Sequence, residues 1–112
     1  MGAKISTRKS VDAKQSILKK TLEVIGGKWR LYIIFQLGTE VRRYGELRRM
    51  IPQVSEKVLI QELKALINLG VIEKRALKET PPRVEYELTV KGRQILPILT
   101  KLTTVGEVLM KP

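Results

Sequence analysis

The stretch that most constrains how this chain can fold is residues 55–69, which carry the start, the period and the stop of an α-helix. Its first residue, a serine, can accept a hydrogen bond from an early backbone N–H group, as an N-cap residue does. Leu59, Leu63 and Leu66 recur at the spacing of a single helix face. Gly70 can take the left-handed conformation in which helices often end. The sequence therefore predicts an amphipathic helix with one buried, apolar face.

The opposite face of this predicted helix is polar and cationic. It carries Lys57, Gln61, Lys64 and Asn68. Ammonium and amide groups can hydrogen-bond to base edges in the major groove of DNA. The 22 Lys and Arg residues outnumber the 11 Asp and Glu residues, and the resulting net charge of +11 favours a polyanionic partner. The alternative is an ordinary solvated helix face, and the flanking sequence has to distinguish the two.

The residues before this helix predict mostly helical structure. Residues 1–10 are small, polar and basic, and we expect them to form a flexible arm. Apolar stripes predict helices over residues 11–25 and 29–37, and the glycine pair between these segments ends the first helix. Residues 41–44 suit a short strand, and residues 45–50 suit a short helix.

The short helix, a turn and the longer helix make a helix-turn-helix over residues 45–70. Residues 71–88 then alternate between apolar and polar positions on either side of a proline-containing turn, which is the pattern of a two-stranded wing. Thr89 can cap a final helix over residues 90–110, which Pro97 should kink or interrupt. The predicted fold class is mostly α with a small β-hairpin (α+β): a single winged helix-turn-helix domain with added N- and C-terminal helices.

The residue types that are missing exclude several functions. The chain has no Cys and no His, so it lacks a thiol nucleophile, the usual general base and the commonest metal ligand. It has no glycine-rich phosphate loop either, and we expect no enzyme activity, no metal site and no cofactor. No apolar run approaches the ~20 residues of a membrane span, and no signal-peptide core opens the chain. We therefore expect a cytoplasmic protein without a membrane partner.

Several segments resemble HxlR-type transcriptional regulators, which are related to MarR-type regulators. These segments are residues 21–29 (TLEVIGGKW), 42–48 (RRYGELR), 55–66 and 81–89 (PPRVEYELT), within a resemblance that spans about residues 14–109. It implies a winged helix protein of bacteria or archaea that forms homodimers through its terminal helices. Such dimers bind palindromic operators in double-stranded DNA, more often as repressors than as activators.

One departure from the family pattern concerns sensing. Many HxlR-type regulators carry a cysteine just before the first helix that responds to oxidants or electrophiles. Ser16 occupies the matching position in this chain, which has no cysteine at all. Thiol-based sensing is therefore excluded, and the identity of any small-molecule effector is left open.

The resemblance places the recognition helix in the major groove, with its N-terminal residues nearest the bases. The predicted base contacts are Ser55, Lys57, Gln61 and Lys64. The predicted phosphate contacts are Arg42, Arg43, Arg48 and Arg49, which flank the helix-turn-helix. On the wing, the cations that can reach DNA are Lys78 and Arg83, and Arg83 could enter a minor groove or hold a phosphate. Arg49 could instead pair with Glu46 on its own helix. Arg83 could instead pair with Glu85 or Glu87.

The outer helices carry more apolar residues than one small winged helix needs to bury. The predicted dimer contacts are Leu18, Leu22, Leu99, Leu102, Val105 and Leu109. The alternative is that these helices cover the core of their own chain.

The alternative to an operator-binding regulator is a winged helix module that binds DNA without sequence preference or binds another protein.

Overall fold

The computed structural model describes the backbone of residues 2–112 and the side chains of residues 10–112. The helices are α1 (Gly2–Ile25), α2 (Arg30–Leu37), α3 (Tyr44–Met50), α4 (Glu56–Asn68) and α5 (Val90–Met110). The strands are β1 (Arg42–Arg43), β2 (Ile72–Leu77) and β3 (Arg83–Leu88). This is the predicted fold class, mostly helical with a small antiparallel sheet. Along the chain, two helices are followed by a short strand, two more helices, a hairpin and a last helix.

The sheet joins the wing to the segment that precedes the helix-turn-helix. Its strand order is β1-β3-β2, and both pairings are antiparallel. Arg42 lies opposite Tyr86, and Ile72 lies opposite Leu88 at the other side of β3. The predicted two-stranded wing therefore has a third strand along one edge, which fixes the position of the hairpin relative to α3.

The core lies between α2, the helix-turn-helix and the base of the wing. Its buried residues are Ile33, Ile34, Leu37, Leu47, Ile51, Val54, Leu59, Leu63, Leu66, Val71, Ile72, Tyr86, Leu88 and Leu99. The three leucines that predict the buried face of α4 are among them, at no more than 2% exposure. Burying an aliphatic side chain of this kind stabilises the fold by roughly 1.5–3 kcal/mol. Packing of this face therefore fixes which side of α4 is turned outward.

The ends of α4 are closed as the sequence predicts. The Ser55 hydroxyl oxygen accepts a hydrogen bond from the Val58 backbone N–H at 3.2 Å. At the other end, Gly70 has a φ of 74°, which a side chain would strain. This turn lets the Val71 backbone N–H donate to the Leu66 carbonyl oxygen at 3.0 Å. Both ends of α4 are thus held by local hydrogen bonds.

The start of α5 is attached to the end of α4. The Thr89 hydroxyl donates to the Gly70 carbonyl oxygen at 2.6 Å and accepts from the Gly92 backbone N–H at 3.1 Å. The Thr89 backbone N–H donates to the Val71 carbonyl oxygen at 3.0 Å. Lys91 adds a hydrogen bond to the Leu69 carbonyl oxygen at 3.1 Å. The two helices are therefore joined by a short, multiply bonded junction.

One outer helix differs from its prediction in its bounds. The sequence predicts a first helix that begins at residue 11, whereas α1 begins at Gly2; the flexibility of the N-terminal arm stays a prediction. No glycine or proline occurs between Gly2 and Gly26, so nothing stops a helix from propagating towards the N-terminus. At the other end, Pro97 lies inside α5 and does not interrupt it, so of the two predicted effects only the kink stays a prediction. Among the described residues, no helix has both the length and the apolarity to cross a membrane.

Candidate nucleic-acid interface

The outward face of α4 presents the side chains that the sequence predicts as base contacts. Lys57, Gln61 and Lys64 are all exposed, and their spacing places them on one side of the helix. Within the described part of the chain, none of the three has a side-chain hydrogen bond or an ion pair. Ser55 is also exposed, and its hydroxyl oxygen is engaged as the N-cap. This face therefore has donors and acceptors that its own fold does not use.

The inward flanks of α4 are tied to two neighbouring helices. The Arg30 guanidinium of α2 donates from Nε to the Glu62 carboxylate at 2.7 Å. The same guanidinium donates to the Val24 carbonyl oxygen near the end of α1. We call this arrangement the Arg30 joint, defined by Arg30, Glu62 and Val24. It connects α1, α2 and α4 through one side chain.

A second tie joins α3 to the start of α4. The Tyr44 hydroxyl donates to the Glu56 carboxylate at 3.2 Å. Burial, followed by this hydrogen bond to a carboxylate, raises the pKa of Tyr44 above its ordinary value of 10.0. The tyrosine therefore keeps its proton, and remains a donor, well above neutral pH. Together with the Arg30 joint, it fixes the orientation of α4.

The arginines beside the helix-turn-helix fall into two groups. Arg43 and Arg49 are exposed, whereas Arg42 and Arg48 are partly buried. The Nε atom of Arg42 is buried without a hydrogen-bond partner among the described residues. The predicted alternative of an Arg49–Glu46 ion pair does not occur among these residues, because Glu46 instead accepts from the Arg43 backbone N–H at 3.0 Å. Arg43 and Arg49 are consequently the arginines best exposed to a phosphate.

On the wing, Arg83 makes ion pairs within its own chain. Its guanidinium lies 3.4 Å from the Glu79 carboxylate and 3.5 Å from the Glu85 carboxylate. The contact with Glu85 is an ion pair rather than a hydrogen bond, since the Arg83 Nε lacks hydrogen-bond geometry. The alternative predicted for Arg83 thus occurs with Glu85, whereas Glu87 pairs with Arg75 at 3.2 Å. The charge of Arg83 is largely balanced by these two carboxylates. Lys78 is exposed, and among the described residues it makes no ion pair.

The predicted dimer contacts divide into exposed and buried residues. Leu18 and Leu22 are both 58% exposed on α1. The exposed residues of α5 are Leu102, Val105 and Leu109. Leu99 is only 6% exposed because it packs into the core of its own chain, so it has little surface to offer a partner. Phe35 of α2 is 45% exposed and lines the same surface cavity as Leu102. The sequence does not predict this exposure, because nearly every residue of α2 is apolar and no polar face marks its outer side.

An apolar groove lies between α1, the end of α4 and the start of α5. Its volume is about 390 Å³, and its lining includes Ile17, Val24 and Ile95 together with Lys20 and Lys91. The groove leaves apolar space beside the two terminal helices. The predicted small-molecule effector stays a prediction.

Comparison with known proteins identifies the family. Residues 24–112 match the family model described as HxlR-like helix-turn-helix. The chain is 39% identical over 95 residues to an uncharacterized HTH-type transcriptional regulator of Bacillus subtilis, YdzF, covering 84% of this chain and 87% of YdzF.

Two solved structures share the fold. A structure described as a MarR-family transcriptional regulator from Porphyromonas gingivalis W83 superposes with a TM-score of 0.76 at 48% identity, covering 80% of this chain and 88% of that chain. The redox regulator HypR in its oxidized form superposes with a TM-score of 0.75 at 33% identity, covering 81% of this chain and 94% of that chain.

These relatives are transcriptional regulators rather than enzymes, and the exposed polar face of α4 lies on the helix-turn-helix that the family model covers. The chain belongs to the HxlR-like helix-turn-helix family of transcriptional regulators.

Proposed function

We propose that this chain is a homodimeric, sequence-specific repressor that reads a palindromic operator with α4. The observation that carries this proposal is the contrast between the two sides of α4. Its inner side is fixed by buried leucines, by the Arg30 joint and by the bond from Tyr44 to Glu56. Its outer side leaves Lys57, Gln61 and Lys64 exposed. A rigid helix with unused polar groups is what base recognition in a major groove requires.

Each candidate residue has a chemical role in this proposal. Gln61 can bind adenine with two hydrogen bonds, and the lysines can bind guanine. The Ser55 hydroxyl proton can be donated to DNA while its oxygen caps the helix. Arg43, Arg49 and Lys78 neutralise phosphates, with the partly buried Arg42 and Arg48 beside them, and these contacts set the register without reading the sequence. Arg83 positions the wing tip through its own ion pairs.

The proposed dimer rests on the apolar surface of the terminal helices. Leu18 and Leu22 on α1 and Leu102, Val105 and Leu109 on α5 are each at least 49% exposed. Apolar patches spread over two helices mark interaction sites, and a second copy of the chain supplies a matching patch by two-fold symmetry. The recognition helices of such a dimer would sit ~34 Å apart, or a multiple of that distance. Repression, rather than activation, follows from the family resemblance alone.

The oligomer is tested by light scattering at micromolar protein concentration, where a dimer mass is expected. Leu22→Asp should shift the mass towards the monomer, because a carboxylate would be buried without a partner. Lys101→Asp changes the charge of an exposed α5 residue outside the predicted dimer contacts and serves as the control. A monomeric mass for the unaltered protein would contradict the dimer.

DNA binding is tested by fluorescence anisotropy on the upstream intergenic DNA of the protein's own gene and on a random duplex, each at two salt concentrations. A specific complex should be ~10³-fold or more tighter than the random one. Gln61→Ala should weaken the specific complex and leave the random one nearly unchanged, with Gln94→Ala on exposed α5 as the matched control. Arg43→Ala should weaken both and lower the salt slope by about 0.9 for each phosphate that the protein no longer neutralises.

The net charge of +11 favours non-specific DNA coating as a second candidate function. That function would give equal, salt-sensitive binding to every duplex, including duplexes recovered by in vitro selection from a random pool. Absence of binding to any duplex at low salt would contradict both functions and leave the wing as a protein-interaction surface.

A further inference from the structure

One apolar residue of α4 lies outside the core. Ile60 is 38% exposed, whereas the leucines at positions 59, 63 and 66 are at most 2% exposed. Among the described residues of α4, Ile60 is the single large hydrophobic residue with this degree of exposure. The apolar face that packs the helix therefore does not account for it.

Two neighbours of Ile60 on the helix surface are proposed DNA contacts, and a third, Glu56, accepts the hydrogen bond from Tyr44. Ile60 lies three residues after Lys57 and four residues before Lys64, so these side chains adjoin one another on the helix surface. Gln61 follows Ile60 directly on the outer face. Isolated exposed apolar residues are common on protein surfaces. What distinguishes Ile60 is its place within a cationic surface whose proposed partner is the major groove.

A major groove offers one apolar group to such a side chain. The base edges present hydrogen-bond donors and acceptors, and only thymine adds a methyl group, at C5. Lysine and glutamine can satisfy the polar groups but gain nothing from this methyl. An aliphatic side chain gains by removing the methyl group, and its own surface, from water.

We propose that Ile60 is a specificity-determining residue that packs against a thymine C5-methyl group, next to the base pairs contacted by Lys57, Gln61 or Lys64. The inference rests on the proposed function and adds to it: each operator half-site contains a thymine that is read by apolar contact. Burial of one methyl group corresponds to about a fourfold change in affinity, and to about a fifteenfold change over two symmetric half-sites.

The test removes the methyl group from the DNA and leaves everything else unchanged. Operator duplexes are first recovered by in vitro selection from a random pool. Each thymine is then replaced singly by deoxyuridine, which keeps the base pair and loses only the methyl group, and affinity is measured by anisotropy. We expect one position per half-site at which the replacement weakens binding by about fourfold.

The same replacement is then measured with Ile60→Ala. The variant should bind the thymine operator more weakly and should lose most of its sensitivity to deoxyuridine at that position. Val90→Ala is the matched control, because Val90 is an exposed aliphatic residue (65%) outside α4, and it should keep the full sensitivity. Thermal unfolding should show that Ile60→Ala stays folded at the temperature of the binding assay, with Tm lowered by about 4–8 °C, since Ile60 is 38% exposed and buries the remainder of its surface.

Two results would overturn the inference while the proposed function survives. One is a selected operator that binds specifically and shows no deoxyuridine-sensitive position. The other is a sensitive position at which Ile60→Ala is as sensitive as the unaltered protein. If selection recovers no preferred duplex at all, the proposed sequence-specific function fails, and the role of Ile60 fails with it.

Discussion

The Arg30 joint provides a quantitative test of how α4 is held. The Arg30 Nε and a Glu62 carboxylate oxygen are 2.7 Å apart, and both side chains are about a quarter exposed. With an effective dielectric constant of about 20, two unit charges at that distance attract by about 6 kcal/mol before any desolvation cost. Desolvation offsets most of this attraction, so the net contribution has to be taken from comparable measured interactions.

Two substitutions remove different parts of the joint. Glu62→Gln keeps an acceptor oxygen but removes the charge. It should cost about 1 kcal/mol, the difference between a charge-assisted and a neutral hydrogen bond. Arg30→Met removes the bonds to both Glu62 and the Val24 carbonyl, and leaves a partly buried carboxylate without its partner. It should cost about 2–3 kcal/mol.

Thermal unfolding at one fixed protein concentration measures these costs. For a chain of 112 residues, about 1 kcal/mol corresponds to about 4 °C in Tm. Glu62→Gln should therefore lower Tm by about 4 °C and Arg30→Met by about 8–12 °C. Arg75→Met is the matched control: Arg75 also pairs with a glutamate, at 3.2 Å, but is 50% exposed, and its loss should cost no more than about 1 kcal/mol.

The double variant Arg30→Met with Glu62→Met gives the sharpest outcome. Because it leaves no unpaired carboxylate, it should be less destabilised than the sum of the single variants Arg30→Met and Glu62→Met, which are measured beside it. Strict additivity would refute the argument that the two side chains act as a pair. An Arg30→Met protein that unfolds within about 2 °C of the unaltered one would refute the joint as a stabilising feature.

Two further predictions concern the base of the wing. Gly92→Ala should destabilise the fold by about 1–3 kcal/mol in urea unfolding, because a Cβ at Gly92 would collide with the Val71 carbonyl oxygen. Gly106→Ala on the same helix is the control. Among the described residues, no atom lies within 4 Å of a Cβ at Gly106, so this substitution should be neutral or stabilising. Burial raises the pKa of Tyr86 above its ordinary value of 10.0, so the folded state holds this proton more tightly than the unfolded state. The resulting stability is fully present below about pH 10 and is lost as pH rises through the folded pKa. Tyr86→Phe should therefore lose less stability than the unaltered protein between pH 8 and pH 11, and equal losses in both proteins would contradict this account.

The recognition helix could be predicted from the sequence because its determinants are local. The N-cap serine, the leucine spacing and the terminal Gly70 lie within one segment, and each acts over a few residues. The structure has α4 at Glu56–Asn68 with these caps in place. The wing hairpin was predictable for the same reason, since alternation is read along a single strand.

The Arg30 joint could not be predicted in this way. Arg30 and Glu62 are 32 residues apart, and no periodic pattern relates residues of two different helices. The burial of Leu99 has the same cause: its stripe on α5 marks it as apolar but does not say whether its own core or a partner covers it. The exposure of Ile60 is likewise set by how α4 packs. The ion pair of Arg83 with Glu85 could be named as an alternative to a DNA contact, because both residues lie on one hairpin.

The junction around Thr89 also determines how a signal could reach the DNA in the proposed dimer. The start of α5 is bonded to the end of α4 through Gly70, Val71 and Leu69. A change in the tilt of α5 at the dimer contact would therefore be passed to α4 as a rigid unit, rather than absorbed in a loop. The separation of the two recognition helices would then change with the packing of the dimer helices, which provides a route for regulation that needs no cysteine.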